Sequence, residues 1–186
     1  MAAMEIVTSG VLDDDAPVAA PAPSQPSVRQ PVSKPAHRFE HLHFEFDDPG
    51  GSWQRIDASD FAPDATIFFQ NSVSQIAFLV VAETGDDVAA VTRADLEALA
   101  EANLDSESAP WTLVDRSEIE RDGITWSRLV SEATAGEHEL RYVHWLATHD
   151  GSVYQCVTFA QVELGSIVDE AADELMQGFR VIADED

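Results

Sequence analysis

The sequence has few basic residues and a large excess of acidic ones. Ten Lys and Arg stand against 35 Asp and Glu among 186 residues, which gives a formal net charge of -25. Nucleic-acid affinity comes largely from cations that displace counterions from phosphates, so this balance argues against DNA or RNA binding. It argues equally against docking on anionic lipid, where basic residues supply the attraction.

Cysteine and long apolar runs are also scarce. Cys156 is the single cysteine, so the chain has no internal disulfide and no Cys-based zinc cluster. No apolar run approaches the roughly 18 residues of a membrane span, and the first ten residues resemble no signal peptide. A lipoprotein cysteine near the start is missing as well. We therefore expect a cytoplasmic protein with no direct membrane insertion.

The usual catalytic signatures are missing too. The sequence contains no G-x-S-x-G elbow, no G-x-x-x-x-G-K, no G-x-G-x-x-G and no H-E-x-x-H. Cys156 lies in an apolar strand pattern, where a thiol behaves as a small buried hydrophobe. His144 lies in the middle of another predicted strand and is interpreted as a structural histidine. These observations predict a protein that is not an enzyme and has no cofactor.

A change of composition divides the chain near residue 38. Val11 to Ala36 is rich in Ala, Pro, Ser, Val and Gln, and proline removes backbone donors and favours extended conformations. We therefore predict a disordered or extended N-terminal tail over residues 1–38. Residues 39–186 carry the apolar patterns of one folded domain.

The first half of this domain reads mainly as strands. Leu42, Phe44 and Phe46 alternate along a first extended segment that ends in the turn signal of residues 47–51. Further strands are predicted at Trp53–Ile56, Ala65–Gln70 and Gln75–Glu83. Thr92 begins a helix with Asp95 at the capping-box position, and Leu96, Leu99, Ala100 and Leu104 are predicted to share its apolar side.

The second half predicts a strand meander closed by a helix. Short turn signals separate four candidate strands, Trp111–Arg121, Ile124–Ala133, Glu139–Ala147 and Ser152–Ala160. A terminal helix is predicted from an apolar stripe that comprises Ile167, Val168, Ala171, Ala172, Leu175, Met176 and Phe179. The element order predicts an α+β fold, with an antiparallel sheet of about six or seven strands flanked by helices.

One histidine-rich segment suggests metal chemistry. In His41-Leu42-His43-Phe44-Glu45, alternate residues of a strand share a face, so His41, His43 and Glu45 would form one polar row. Two imidazoles and a carboxylate can bind zinc or another divalent ion. The alternative is a solvent-facing row on an outer strand. H-x-H is common, and no distant third ligand is identifiable, which favours the solvent-facing row.

Large aromatic residues are the candidates for partner binding. Trp53, Trp126, Tyr142 and Trp145 lie on predicted strands, where aromatic side chains can line a groove for an apolar partner. Aromatic residues also fill cores, and the alternation around Trp126 predicts that this residue faces inward. Arg128 and Arg141 fall near these aromatics, and each is expected to have a carboxylate or aromatic partner.

Several short motifs resemble the PsbP-like and DcrB-like domains. Residues 44–53, FEFDDPGGSW, are similar to the F-x-F…P…W opening of these domains, and residues 122–126, DGITW, are similar to their D-G strand start. His144 to Gln155 resembles their hairpin, and Gly178-Phe179-Arg180 resembles their closing element. The similarity extends from Phe39 to Ala183, whereas the proline-rich tail and the missing lipoprotein cysteine depart from the family pattern.

The resemblance implies a sandwich-like antiparallel sheet with flanking helices. It also implies a non-enzymatic function. Known roles in these families include accessory subunits, lipoproteins and adaptor chaperones that hold hydrophobic segments of secreted effectors. We therefore expect a protein-binding adaptor, chaperone or accessory subunit that uses a sheet face or groove. Two alternatives remain open: a metal-binding or small-molecule-binding module, enzymatic or not, on His41, His43 and Glu45, and an acidic mimic of nucleic acid that blocks a basic protein.

Overall fold

A computed structural model describes residues 36–57, 59, 62–105 and 110–182. Five of the strands lie before the first α-helix and five lie after it. The strands are β1 Ala36–Phe39, β2 Phe44–Asp47, β3 Trp53–Arg55, β4 Ile67–Asn71, β5 Ala77–Thr84, β6 Trp111–Arg121, β7 Ile124–Ala135, β8 His138–His149, β9 Ser152–Gln161 and β10 Phe179–Val181. The helices are α1 Arg93–Asp105 and α2 Ser166–Met176.

Seven of these strands form one antiparallel sheet in the order β3-β4-β5-β9-β8-β7-β6. The predicted four-strand meander is confirmed as β6 to β9. Asp122 and Gly123 join β6 to β7 with φ values of 53° and 78°, because a tight two-residue hairpin turn needs positive φ at both central positions. The fold class inferred from the sequence, α+β with an antiparallel sheet of about six or seven strands, is therefore confirmed.

A second, three-stranded sheet in the order β1-β2-β10 packs on one face of the large sheet. Phe44 and Phe46 of β2 and Phe179 of β10 are almost completely buried there, together with Trp126 and Tyr154 from the large sheet. The Phe44 and Phe179 rings stack with centroids 5.1 Å apart. The main core therefore lies between the two sheets and extends beneath α2.

The two helices cover opposite faces of the large sheet. Val168, Ala172, Leu175 and Met176 of α2 join the main core. Leu96 and Ala100 of α1 instead pack against Leu129, Leu146 and Val153 on the other face. The predicted capping box of α1 is present, because the Asp95 carboxylate accepts the Thr92 backbone N–H at 2.9 Å and the Asp95 N–H is donated to the Thr92 hydroxyl at 3.2 Å. Within the described parts of the chain, no helix has both the length and the apolar character needed to cross a bilayer.

The structure differs from the predicted element bounds and burial at several positions. Residues 36–38, assigned to the tail, belong to β1, where Ala36 pairs with Asp47; the rest of the predicted tail lies outside the described residues. Leu99, expected on the buried side of α1, is 51% exposed. Phe179, expected to extend the stripe of the last helix, begins β10 instead, because α2 ends at Met176 and Gly178 follows.

Candidate functional site

A groove of about 500 Å³ runs along α2, between this helix and the segments on either side of β3. We call it the α2 groove. Its apolar lining comes from separate stretches of the chain, namely β2, the turn after it, β3, the β4–β5 turn and α2. The apolar residues that line it are Phe46, Pro49, Trp53, Ile76, Ile167, Ala171 and Leu175.

A tight turn after β2 brings Trp53 to the groove. The Asp48 carboxylate accepts the backbone N–H of Gly50 at 2.8 Å, and Gly50 and Gly51 both have φ of 63°. Glycine adopts this left-handed conformation at little cost, whereas most other residues do not. The Trp53 backbone N–H then donates a hydrogen bond of 3.1 Å to the Gly50 carbonyl oxygen, which closes the turn. Trp53 is half-buried and pairs with Asn71 across β3 and β4.

The turn between β4 and β5 forms the next part of the wall. The Asn71 side-chain oxygen accepts backbone N–H groups from Val73 and Ser74, both at 3.0 Å. This local bonding is typical of an Asx turn. Asn71 and Ser74 line the groove, and Val73 between them is 81% exposed. A large apolar side chain therefore projects from the turn beside the groove.

The helical wall of the groove carries both an apolar and an acidic stripe. Ile167, Glu170, Ala171 and Glu174 follow helical spacing and all line the groove. Ile167 is 52% exposed, although its place in the apolar sequence stripe predicted burial. Glu170 and Glu174 are exposed. The same stripe was visible in the sequence, but nothing in its spacing distinguished the groove side from the core side.

Arginines of the large sheet hold α2 in place: Arg121 donates to the Met176 carbonyl at the end of the helix, and Arg141 and Arg128 bind its carboxylates. Arg141 donates to both carboxylate oxygens of Asp169 at 2.9 and 2.8 Å and to Glu132 at 2.6 Å. These hydrogen bonds, to Asp169 above all, raise the pKa of the Arg141 guanidinium. Arg128 donates to Asp173 at 3.0 Å and lies 6.0 Å from the centroid of the Trp145 ring. The expected carboxylate and aromatic partners of Arg128 and Arg141 are therefore confirmed.

A further arginine pairs with an acidic residue that lines the groove. Arg180 of β10 binds Asp47 through two hydrogen bonds of 3.1 and 2.6 Å and Glu45 through one of 2.8 Å. These bonds raise the pKa of the Arg180 guanidinium, the Asp47 contact contributing most. Asp47 lines the groove, and this pairing neutralises its charge.

The predicted polar row of His41, His43 and Glu45 does not form. His41 is exposed in a short 3₁₀ turn, and His43 has a left-handed φ of 56°, so only Glu45 lies on a strand. His43 contacts the Ser152 hydroxyl at 3.3 Å, and Glu45 binds Arg180 as described above. Among the residues that the structure describes, no group of three or more His, Cys, Asp or Glu side chains is arranged to hold a metal ion.

The four aromatic candidates lie in three different places. Trp126 and Trp145 are 2% and 5% exposed and contact each other edge to face in the main core, so they present no surface to a partner. Trp126 thus faces inward as its alternation predicted. Tyr142 lies on the opposite face of the sheet and stacks on Phe159 with centroids 5.6 Å apart. Of the four, only Trp53 lines the α2 groove.

His144 and Cys156 are buried and belong to the packing of the large sheet. Burial lowers the pKa of His144 to about 4, and its Nδ1 lies 3.4 Å from the Gln155 amide nitrogen. Burial also raises the pKa of the Cys156 thiol. A neutral imidazole and a protonated thiol in these positions agree with the structural roles inferred from the sequence.

Comparison with known proteins identifies the fold. No protein-family model and no curated protein matches the sequence. The structure is similar to the cyanobacterial PsbP protein, CyanoP, from Synechocystis sp. PCC 6803, with a TM-score of 0.60 and 15% identity over 85% of this chain and 98% of that one. The chain therefore has the PsbP-like fold, as its resemblance to the PsbP-like and DcrB-like domains implied.

Two further solved structures share this fold. LpqN of Mycobacterium tuberculosis, described as involved in cell envelope biogenesis, matches with a TM-score of 0.54 and 14% identity over 75% of this chain and 83% of that one. The Ran-binding protein Mog1p of Saccharomyces cerevisiae matches with a TM-score of 0.51 and 13% identity over 80% of this chain and 95% of that one. At these identities the similarity establishes the fold alone.

Proposed function

We propose that this chain is a non-enzymatic adaptor or accessory subunit that holds a segment of a protein partner in the α2 groove. The observation that carries the proposal is the exposure of Ile167 beside the half-buried Trp53 in a groove of about 500 Å³. Large apolar and aromatic side chains that stay accessible in a concave surface are characteristic of partner-binding sites.

The exposed apolar residues around the groove support this choice of surface. Among the described residues, five large hydrophobic side chains are exposed: Val73, Leu99, Leu113, Val114 and Ile167. Ile167 lines the α2 groove, and Val73 projects from the turn that forms its wall. A partner side chain that entered the groove would cover both this isoleucine and the Trp53 ring, and burial of such apolar area stabilises a complex.

The rigidity of the groove also fits a binding role. Its helical wall is fixed by Arg141 and Arg128, and Asp47, which also lines it, is fixed by Arg180. A preformed surface loses little conformational entropy when a partner binds. The side chains that line it are mainly apolar groups and carboxylates on an exposed helix face, which offer contact area to a segment of chain. The yeast protein of the same fold is itself a protein-binding protein by its description.

A matched pair of substitutions tests the proposal. Ile167 and Leu99 are 52% and 51% exposed, both lie on helices, and they lie on opposite faces of the large sheet. Ile167→Ser and Leu99→Ser therefore remove similar exposed apolar groups. Affinity capture from cells that encode the protein, quantified by mass spectrometry, is expected to lose its stoichiometric partner with Ile167→Ser and keep it with Leu99→Ser. Equal capture by both variants would contradict the groove as the docking surface.

A further inference from the structure

We infer that the partner segment which enters the α2 groove is basic as well as apolar, with Lys or Arg residues spaced to meet Glu170 and Glu174. This inference rests on the proposed function and adds the chemistry of the partner. Its basis is the difference between two pairs of carboxylates on the same helix.

The carboxylates of α2 that face the sheet are neutralised within the protein. Asp169 is bound by Arg141, and Asp173, four residues later, is bound by Arg128. Arg180 likewise neutralises Asp47, which lines the groove. The fold therefore supplies an arginine to each of these three carboxylates around α2 and the groove, although the whole chain contains only ten basic residues.

The two carboxylates on the helical wall of the groove, Glu170 and Glu174, have no such partner among the described residues. Glu170 and Glu174 form no ion pair with any described residue, and none of the described residues that line the groove is Lys, Arg or His. Both glutamates are exposed, and they lie one turn apart on the helix, about 6 Å along its axis. Two uncompensated negative charges thus border an apolar surface formed by Ile167, Ala171 and Leu175.

This spacing defines what a complementary segment looks like. Two cations about 6 Å apart correspond to positions i and i+4 of a helix, or i and i+2 of an extended strand. The apolar floor requires at least one bulky apolar side chain on the same face of that segment. A basic amphipathic segment satisfies both conditions, whereas an acidic one would bring like charges together beside the groove.

Three synthetic peptides of equal length separate charge from apolar contact. One carries Leu and Lys at helical spacing, the second carries Leu and Glu in the same pattern, and the third replaces every Leu of the first with Ser. Fluorescence anisotropy of labelled peptides with the full chain measures each Kd at about 0.05 and about 0.15 M salt. We expect the Leu/Lys peptide to bind most tightly and to weaken as salt rises.

A matched pair of charge variants locates the interaction. Glu170→Gln combined with Glu174→Gln is expected to raise the Kd of the Leu/Lys peptide about five-fold, as the loss of two exposed ion pairs predicts. Glu137→Gln combined with Glu139→Gln removes the same charge from an exposed hairpin outside the groove. This control is expected to change the Kd less than about two-fold, because it weakens only the long-range negative electrostatic potential of the protein.

The possible failures are distinguishable. An equal loss of affinity for the Leu/Lys peptide in both double variants would mean that binding depends only on the overall negative charge of the protein. Equally tight binding of the Ser/Lys peptide would mean the same. Either result would overturn the inference. If Ile167→Ser abolishes capture of the natural partner while Glu170→Gln with Glu174→Gln has no effect on peptide or partner, the basic character is wrong and the docking groove stands. If Ile167→Ser also has no effect, both proposals fail.

Discussion

The attachment of α2 to the large sheet by Arg141 gives a quantitative prediction, because the helix forms one wall of the groove. Arg141→Met keeps most of the aliphatic stem and removes three hydrogen bonds, two to Asp169 and one to Glu132. The side chain of Arg141 is 12% exposed, while those of Asp169 and Glu132 are 24% and 39% exposed. The Asp169 contact is therefore the better shielded of the two.

The expected loss of stability in Arg141→Met follows from this difference in exposure. A hydrogen-bonded charged pair contributes about 1.5 to 3 kcal/mol, and an exposed ion pair contributes about 0.2 to 1 kcal/mol. Because Asp169 retains partial access to water, we expect Arg141→Met to lower the free energy of unfolding by about 2 kcal/mol. For a folded unit of this size, this corresponds to a fall in Tm of about 6 °C.

A double-mutant cycle measures how much of this loss of unfolding free energy comes from the interaction between Arg141 and Asp169. Urea unfolding followed by tryptophan fluorescence is applied to the parent, Arg141→Met, Asp169→Asn and the double variant, and the coupling energy is expected to be about 1.5 kcal/mol. The equivalent cycle on Arg128 and Asp173 is expected to give less than about 1 kcal/mol, because Asp173 is 53% exposed and makes a single close contact. A coupling energy near zero for Arg141 and Asp169, or a larger one for Arg128 and Asp173, would refute the conclusion that the Arg141–Asp169 pair is the stronger attachment of α2.

The buried histidine and cysteine give two further predictions. Because burial lowers the pKa of His144 to about 4, only the unfolded chain takes up a proton at this site between pH 6.5 and 4. The free energy of unfolding therefore falls as pH decreases through this window, by about 3 kcal/mol for this group. The difference in unfolding free energy between the parent and His144→Gln is expected to shrink by that amount from pH 7 to pH 4, and a pH-independent difference would contradict a neutral buried imidazole. Burial and a raised thiol pKa predict that Cys156 reacts with a thiol reagent orders of magnitude more slowly in the native protein than in urea; fast native labelling would show that the strand opens readily.

The meander and α2 were predictable because their signals are local. Positive φ at Asp122 and Gly123 follows from an Asp-Gly pair between two apolar runs, and β6 to β9 appear close to their predicted bounds. The burial of Trp126 follows from strict alternation along β7. In each case a few neighbouring residues determine the outcome.

The segment around His41 shows where local reasoning fails. Alternation of Leu42, Phe44 and Phe46 predicted one strand, but the chain turns back at His43 so that Phe39 can stack on Phe44 with ring centroids 4.7 Å apart. No glycine or asparagine marks this turn, and its left-handed φ is maintained by tertiary contacts of His43 with Ser152 and Tyr154. A contact partner more than a hundred residues away is invisible to a pattern read over a short window.

The α2 groove was only partly predictable for the same reason. Trp53 was a candidate from its residue type alone, while Ile167 was expected on the apolar, buried side of the helix. The groove arises where β2, β3, the β4–β5 turn and α2 meet, and that meeting depends on the packing of the small sheet. Residues from such distant positions share no spacing that a sequence motif could record.

Site-specific photo-cross-linking tests whether a protein partner occupies the α2 groove. A photoreactive amino acid is placed at Ile167 in one full-length variant and at Leu99 in another, and both are irradiated in cells that encode the protein. The account predicts a discrete adduct with one partner from position 167 and none from position 99. Adducts from both positions alike, or from position 99 alone, would contradict it.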